Sequence, residues 1–402
     1  MSLSYDVIVA GGGPVGLACA ISLAKDGRRV AVVERVPEPI LARPPFDGRE
    51  IALTHHASSW LKQAGAWQHI PSEAISPLRN ARIESGHDLQ NATRRALLFR
   101  APEHGPDALG HLVANHLIRG ALYQAAKGQP RLTLLTGKGI AQTSGHRHEA
   151  ALTLDDGTRL SSELIVAADG RFSQIRSARG IGAIVHDFHR SILVCRMRHP
   201  LPHEQVALQW FDEGQTIALL PVAPDDLPGD RSSLVLTLPP DDIARLKNLD
   251  EDAFNKDITE RTQGRLGDMT LESARCVYPL KAVYAHRFEA ERLALIGDAA
   301  VGMHPITAHG FNLGLKGQET LTQAIADGPG DAGASSVLRR YEWKHRLATA
   351  PLFAATNGIA TVYTHDAMPI LALRQAGLRF AENLAPFKNF VSGLLMDRNR
   401  AA

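Results

Sequence analysis

One stretch, residues 5–34, restricts the fold more than any other. Tyr5-Asp6-Val7-Ile8-Val9-Ala10 is apolar, partly β-branched and bounded by glycine, so it reads as a short buried strand. Gly11-Gly12-Gly13-Pro14-Val15-Gly16 follows at once, residues 15–25 read as a helix, and Arg29-Val30-Ala31-Val32-Val33-Glu34 reads as a second buried strand ending in an acid. Strand, glycine turn, helix, strand and acid together make the dinucleotide-binding fingerprint in its expected context. Gly11 allows the tight turn, Gly13 lets backbone approach a pyrophosphate, and Gly16 lets helix and strand pack closely. The helix start, with its unpaired N–H groups and partial positive charge, then faces phosphate. Glu34 lies about 20 residues beyond the glycines, where a carboxylate accepts from a ribose hydroxyl. The loop lacks a Lys-Ser/Thr ending, so it is not an ATP-type phosphate loop.

The 402 residues, 44% hydrophobic and 21% charged, suffice for two or three closely packed units. A formal net charge of +2 gives no field for nucleic acid. Cys19, Cys195 and Cys276 are widely separated, show no metal-ligand spacing, and suit a reducing, cytoplasmic setting. The most apolar stretch, residues 7–24, is broken by glycines and a proline and has no charged segment before it. It belongs to the nucleotide unit and is neither a membrane span nor a signal peptide.

Residues 35–39, beginning with Arg35, form a loop, and residues 43–49 form an extended crossing segment rich in Pro and Gly. Arg49, just after Gly48, offers a positive fork to phosphate or to an anionic ring; the plainer reading is a surface arginine beside Asp47. Residues 57–64 and 109–126 read as helices. Asp155-Asp156-Gly157-Thr158 is a hairpin turn between alternating runs. Residues 163–168 form a buried strand ending at Asp169-Gly170, with Ser173 and Arg176 beyond. An acid at a strand's carboxyl end lies where open α/β sheets bind ligands, although by itself it also fits a tight turn with an exposed acid. Between residues 184 and 269 the texture changes to short alternating strands at 191–197, 206–211, 216–221 and 232–237, followed by helix over 241–266. This predicts an antiparallel sheet inserted between nucleotide-binding segments, with a cleft beneath it. His186, His189, His199 and His203 have no completing ligand set, so no metal is expected.

The second informative stretch is residues 292–314. A buried strand ends at Gly297-Asp298, a loop carries His304-Pro305, and a helix opens near Gly310-Phe311-Asn312. Asp298 suits a hydroxyl of a sugar or ribityl chain. Backbone N–H groups of Phe311 and Asn312 at the helix start suit a negatively charged ring edge.

Together these stretches resemble the single-component flavoprotein aromatic hydroxylases of the para-hydroxybenzoate hydroxylase type, and within them the ubiquinone-biosynthesis hydroxylase family. The resemblance rests on these groups of residues: Gly11 to Gly16 with Glu34; Asp47-Gly48-Arg49 with Ile51-Ala52-Leu53; Asp169-Gly170 with Ser173 and Arg176; Tyr278-Pro279-Leu280 with Gly297-Asp298-Ala299-Ala300, His304-Pro305 and Gly310 to Gly314; and Arg339 to Glu342 with the helical tail to Met396. It runs nearly end to end. The chain departs from the family pattern at Ala308-His309-Gly310 for Gly-Gln-Gly, at Val301 for histidine, near Gly317 for aspartate, and at Leu234 to Thr237 for Leu-Val-Trp-Thr.

The resemblance implies an α/β fold: an FAD-binding Rossmann-like parallel sheet, an inserted antiparallel substrate sheet and a C-terminal helical region. It divides the chain into an FAD-binding part (1–76, 100–183 and 270–345), a substrate sheet (77–99 with 184–269) and C-terminal helices (346–402). It implies FAD reduced by NAD(P)H, and transfer of one oxygen atom of dioxygen to a phenol ring by way of a flavin hydroperoxide. The implied FAD contacts are Gly11, Gly13, Pro14, Val15, Gly16, Glu34, Arg35, Arg49, Asp169, Asp298, Gly310, Phe311 and Asn312. Pro305 is expected to shape the pocket at the reacting oxygen. His309 places a group titrating at about pH 6.5 beside the flavin, either as a charge switch or as a neutral hydrogen-bond donor. The implied substrate is a polyprenylated phenol or quinol precursor of ubiquinone. Residues 371–396 form an amphipathic tail that suits a membrane surface, a partner or its own domain. Peripheral contact with the inner face of a membrane or with a biosynthetic complex, and a homodimer, complete the partner expectations. Two other readings compete: a flavoprotein oxidoreductase without oxygen insertion, and a non-enzymatic FAD-bearing scaffold.

Overall fold

The computed structural model describes residues 3–86, 95–101, 108–212, 214–304 and 310–364. Its organising element is a parallel sheet. The strand β1 (Leu3–Ala10) lies at the centre, with β2 (Val30–Glu34) on one side and Arg159–Ala167 on the other. Leu132–Thr136 extends the sheet beyond β2, and Leu293–Leu295 extends it beyond Arg159–Ala167. The central strands are Val/Ile/Leu-rich and solvent-free, as strands covered on both faces must be. The helix α1 (Pro14–Lys25) joins β1 to β2 and starts one residue earlier than the periodicity suggests, because proline suits the first helical position. The expected hairpin forms: Glu149–Leu154 pairs antiparallel with Arg159–Ala167 across the Asp155–Thr158 turn.

Register carries the functional consequence. Ala10 lies opposite Ala167, and Ala167 opposite Leu295. The loops that follow these three strands therefore leave one edge of the sheet side by side. They contain Gly11 to Gly13, Asp169-Gly170 and Gly297-Asp298.

A second, nine-stranded sheet is antiparallel apart from one parallel pairing, between Val206–Asp212 and Asn80–Ser85. Its backbone is the strand Ala183–His199, longer than the pattern suggests. This strand pairs with both Cys276–Ala285 and Asp230–Leu238 and bends at a bulge between Asp187 and Ser191, where His189 has φ 52°. Leu193, Cys195 and Met197 on one face pack with Trp210, Ile217, Leu234 and Leu236 against the helices Pro240–Asn248 and Glu251–Arg261. Ile192 and Val194 on the other face join the core of the parallel sheet.

Two readings are corrected. Residues 109–126 are not one helix: Gly110–Ala114 is a strand between Glu50–Leu53 and Ser76–Leu78, and the helix is Asn115–Lys127. A Cβ at Gly110 would lie 2.3 Å from the Leu53 carbonyl oxygen, so this strand passes too close to its neighbour for any side chain. The helix expected over 241–266 is two helices, because Leu249 turns extended and Asp250 Oδ1 accepts from the Ala253 N–H at 2.8 Å, starting a new one. The C-terminal helix runs Ser335–Thr364; residues 371–396 lie outside the described residues. Among the described residues no helix is long and apolar enough to cross a membrane.

Candidate active site

The glycine turn is built as its sequence requires. Gly11 has φ +113°, and a Cβ there would lie 2.5 Å from the Ala168 carbonyl oxygen; at Gly16 it would lie 2.0 Å from Gly11 O. Gly13 differs: a Cβ there would meet nothing within 4 Å. Gly13 also precedes α1 without any side-chain cap, and Pro14 opens the helix. Helix-start amides, a neighbouring surface clear of side chains and a dipole aimed outward make a cradle for phosphate. At the end of β2, Glu34 Oε2 accepts from the Gly12 N–H at 2.6 Å and Oε1 from the Val36 N–H at 2.9 Å. The carboxylate is thereby fixed beside the turn with lone pairs left for a ribose. Arg35 is exposed at the same strand end.

The other two loops close on this turn. Val15 packs against Gly297, where a Cβ would be 3.3 Å away, and against Gly314, where it would be 2.5 Å away. Asp169 does more for its own loop than the sequence suggests. Its Oδ1 accepts from Ser173 Oγ at 2.5 Å and its Oδ2 from the Ile175 N–H at 3.1 Å, while Ser173 itself caps the helix Gln174–Ala178 by accepting from the Arg176 N–H at 3.0 Å. Arg176, buried, donates to the Ala299 carbonyl at 2.8 Å. Asp298 is gripped by Arg171, whose Nη2 lies 3.0 Å from Oδ2. The loops after Ala167 and Leu295 are thus locked together twice.

The helix Gly310–Ala326 begins at the same edge. Asn312 is buried; its Nδ2 donates to the Ala52 carbonyl at 2.8 Å and its Oδ1 accepts from the Thr54 N–H at 3.3 Å. This clips the helix start onto the end of Glu50–Leu53. The amides of Gly310, Phe311 and Asn312 are the first of that helix, where no turn of the same helix precedes them to accept. Pro305 and His309 lie outside the described residues. His304, just before them, is buried edge-on to Phe188 with ring centroids 4.7 Å apart. Burial, then the charge of Arg171, pushes its imidazole down to about 4, so it is neutral near pH 7.

Segment 46–50 connects this edge to the antiparallel sheet. Arg49 takes Asp47 as its partner, with Nη2 2.6 Å from Oδ2, and its guanidinium lies 5.6 Å from the centre of the Tyr278 ring. Burial would raise the Asp47 carboxyl, but Arg49's charge and the hydrogen bonds from Arg49 and Asn115 hold it below its usual value. Glu50, almost fully covered, receives Arg196 Nη2 at 2.6 Å from the sheet above. Burial raises the Glu50 carboxyl, with Arg196 opposing. Gly48 (φ +76°) approaches Val194 so closely that a Cβ would be 3.2 Å from its carbonyl oxygen. The sheet therefore lies directly over this strand-end cluster.

Of the expected site residues, Gly11, Gly13, Val15, Glu34, Asp169, Asp298 and Asn312 lie at one edge of the parallel sheet. Sequence reasoning missed Arg171, Asn115 and the Glu50–Arg196 pair, whose partners are remote in sequence. Cys19 and Cys195 are buried, and burial pushes both thiols up to about 12, which removes them as nucleophiles.

A helix start free of side chains, an acid pinned beside it, a second acid on the neighbouring loop and another helix start at the same edge fit a dinucleotide cofactor. Comparisons with known proteins agree. The family model described as "FAD binding domain" matches residues 4–355. The ubiquinone hydroxylase UbiM of Neisseria meningitidis is 40% identical over 400 residues, spanning 98% of this chain and 84% of that protein. The 3-demethoxyubiquinol 3-hydroxylase of Escherichia coli is 30% identical over 393 residues, 95% of this chain and 96% of that one. Among solved structures, p-nitrophenol 4-monooxygenase PnpA of Pseudomonas putida shares the fold at TM-score 0.76 and 16% identity, with full coverage of both chains. The chain belongs to the FAD-dependent ubiquinone-hydroxylase family and is an aromatic hydroxylase that uses FAD.

Proposed function

We propose that this protein hydroxylates the ring of a polyprenylated phenol or quinol intermediate of ubiquinone biosynthesis, with NAD(P)H as reductant and dioxygen as oxygen donor. The convergence of the loops after Ala10, Ala167 and Leu295, the second of them bonded to the antiparallel sheet through Arg171 and the Lys281 carbonyl, is the observation that carries this reading. In the proposed division of the chain, residues 1–76, 100–183 and 270–345 hold the cofactor, residues 77–99 and 184–269 cover the substrate, and residues 346–402 form the C-terminal part.

FAD, once reduced, supplies the activation of dioxygen. The protein supplies position and charge. The Gly13 cradle and the α1 dipole would hold the pyrophosphate, Glu34 would accept from the ribose, and Asp298 would accept from the ribityl chain. Arg35, exposed at the end of β2, would offer positive charge there, and Arg49, paired with Asp47, would offer its remaining N–H groups. Asp169 keeps its loop in shape. The amides of Gly310, Phe311 and Asn312 would stabilise negative charge on the ring edge of the bound cofactor. Pro305 has no N–H to donate, and His304 is neutral, so neither delivers a proton to the reacting oxygen at pH 7. His309 brings a titratable ring to the position where the family carries an amide. The amphipathic residues 371–396 suit peripheral contact with the cytoplasmic face of a membrane, where a prenylated substrate resides.

The test is to incubate purified protein with NAD(P)H, oxygen and a prenylated phenol, and to follow NAD(P)H loss beside product mass. Phenol-stimulated oxidation with a product heavier by one oxygen is expected. Oxidation without a hydroxylated product for any prenylated phenol contradicts the reading and favours an oxidoreductase without oxygen insertion.

A further inference from the structure

Arg171 makes an unusually complete set of bonds for a residue in a turn. It follows Gly170 (φ +90°), which lets the chain reverse and send the arginine towards the neighbouring loop. Its Nε and Nη2 donate to Asp298 Oδ2 at 3.2 and 3.0 Å, Nη1 donates to the Lys281 carbonyl at 2.5 Å, and Nη2 also reaches the Met303 carbonyl at 3.3 Å. Three segments meet on one guanidinium: the loop at Asp298, the second-sheet strand at Lys281, and the chain leaving Val301–Gly302.

The slot is fitted to this side chain. A Cβ at Gly302 would lie 2.8 Å from Arg171 Nε and 3.1 Å from Cγ, so a glycine is needed for the stem to pass. Side-chain exposures of 25% for Arg171 and 37% for Asp298 leave the pair partly open to solvent. Such a pair contributes only modestly through charge alone. Its value lies in geometry: both bonds converge on Oδ2, which fixes the carboxylate's rotation and leaves Oδ1 to face a ligand. A planar fork bridging a carboxylate and two carbonyls is something that a lysine ammonium cannot reproduce.

We propose that Arg171 is a positioning residue for the cofactor, holding the Asp298 carboxylate in the rotamer that accepts from the ribityl chain while pinning the Met303 carbonyl beside it. This rests on the reading of Asp298 as an FAD contact. Arg171 itself touches no reacting atom, and its effect passes through Asp298.

The experiment measures FAD affinity on flavin-stripped protein by fluorescence quenching, alongside urea unfolding of the same apoprotein. The proteins compared are wild type, Arg171→Met, Arg171→Lys, Asp298→Asn, the Arg171→Met/Asp298→Asn double variant and Gly302→Ala. Arg171→Met keeps the aliphatic stem and is expected to weaken FAD about tenfold or more, about the size of one charge-assisted bond. Arg171→Lys should recover little of this. Gly302→Ala, which keeps the arginine in the sequence but pushes its side chain out of the slot, should mimic Arg171→Met. The double variant should bind FAD no worse than Asp298→Asn alone, because the two residues act through one contact. Unchanged affinity in Arg171→Met, or losses that multiply in the double variant, would overturn the proposal. So would a purely structural result, in which apoprotein stability falls and FAD affinity does not. If Asp298→Asn binds FAD like wild type, the reading of Asp298 fails first and takes this one with it; a wild type that never binds FAD sinks the functional proposal as well.

Discussion

The backbone N–H of Gly12 donates to Glu34 Oε2 at 2.6 Å, joining the glycine turn after β1 to the acid that ends β2. The Val36 N–H holds the other oxygen at 2.9 Å. The carboxylate is thus set before any ligand arrives. Replacing Glu34 with glutamine turns one oxygen into a donor and sets N–H against N–H. FAD affinity should fall about tenfold to a hundredfold, the equivalent of about 1–3 kcal/mol. Titration of apoprotein with FAD measures this, and an unchanged Kd would remove Glu34 from the site.

Gly13 and Gly314 separate cofactor binding from packing. A Cβ at Gly13 meets no protein atom, so Gly13→Ala should leave the urea midpoint of the apoprotein unchanged while weakening FAD at least about tenfold, since backbone must approach the pyrophosphate there. Gly314→Ala places a Cβ 2.5 Å from Val15 Cγ2. It should cost the apoprotein roughly 1–3 kcal/mol of stability, as overpacking does. Equal effects of the two substitutions on apoprotein stability would contradict this assignment.

Asn312 ties the Gly310–Ala326 helix to Glu50–Leu53 by two hydrogen bonds. Asn312→Ala leaves the Ala52 carbonyl and the Thr54 N–H without their partner, at a cost of about 1–3 kcal/mol in urea denaturation. It should also shift the visible spectrum of the bound flavin, because the amides facing the ring edge lose their anchor. A stable variant with an unaltered spectrum would contradict the placement.

His345, buried against Tyr341 and Phe288, is pushed by burial down to about 4. An unfolded histidine titrates near pH 6.5. The folded value is depressed, so the neutral ring's contribution is complete above about pH 6.5 and is lost as pH falls from there towards about 4. His304 has the same sign. Unfolding free energy should therefore drop across this window, and His345→Phe should drop less steeply than wild type. Parallel curves for the two proteins would contradict the assignment.

The glycine turn was legible in the sequence because its constraints are local and steric: Gly11 and Gly16 admit no side chain whatever the rest of the chain does. The place of Asp298 at the sheet edge was legible because a buried strand ends just before it. Asp169 was placed correctly in the chain, but the sequence does not reveal that both its oxygens serve Ser173 and Ile175. Gly110 to Ala114 carried helix-like spacing and became a strand, because pairing with Glu50–Leu53 outweighs local preference. Arg171 and Asp298 lie 127 residues apart, and Arg196 and Glu50 lie 146 apart. No local pattern marks such pairs; only the register of the sheets brings them together.

The most direct test of oxygen insertion is the fate of isotopically heavy dioxygen. Purified protein carrying FAD is given NAD(P)H and a prenylated phenol under heavy oxygen gas, in ordinary water. The account predicts a product carrying one heavy oxygen atom, formed in proportion to NAD(P)H consumed. A product whose new oxygen comes from water, or NAD(P)H consumption yielding only hydrogen peroxide with every prenylated phenol offered, would contradict it.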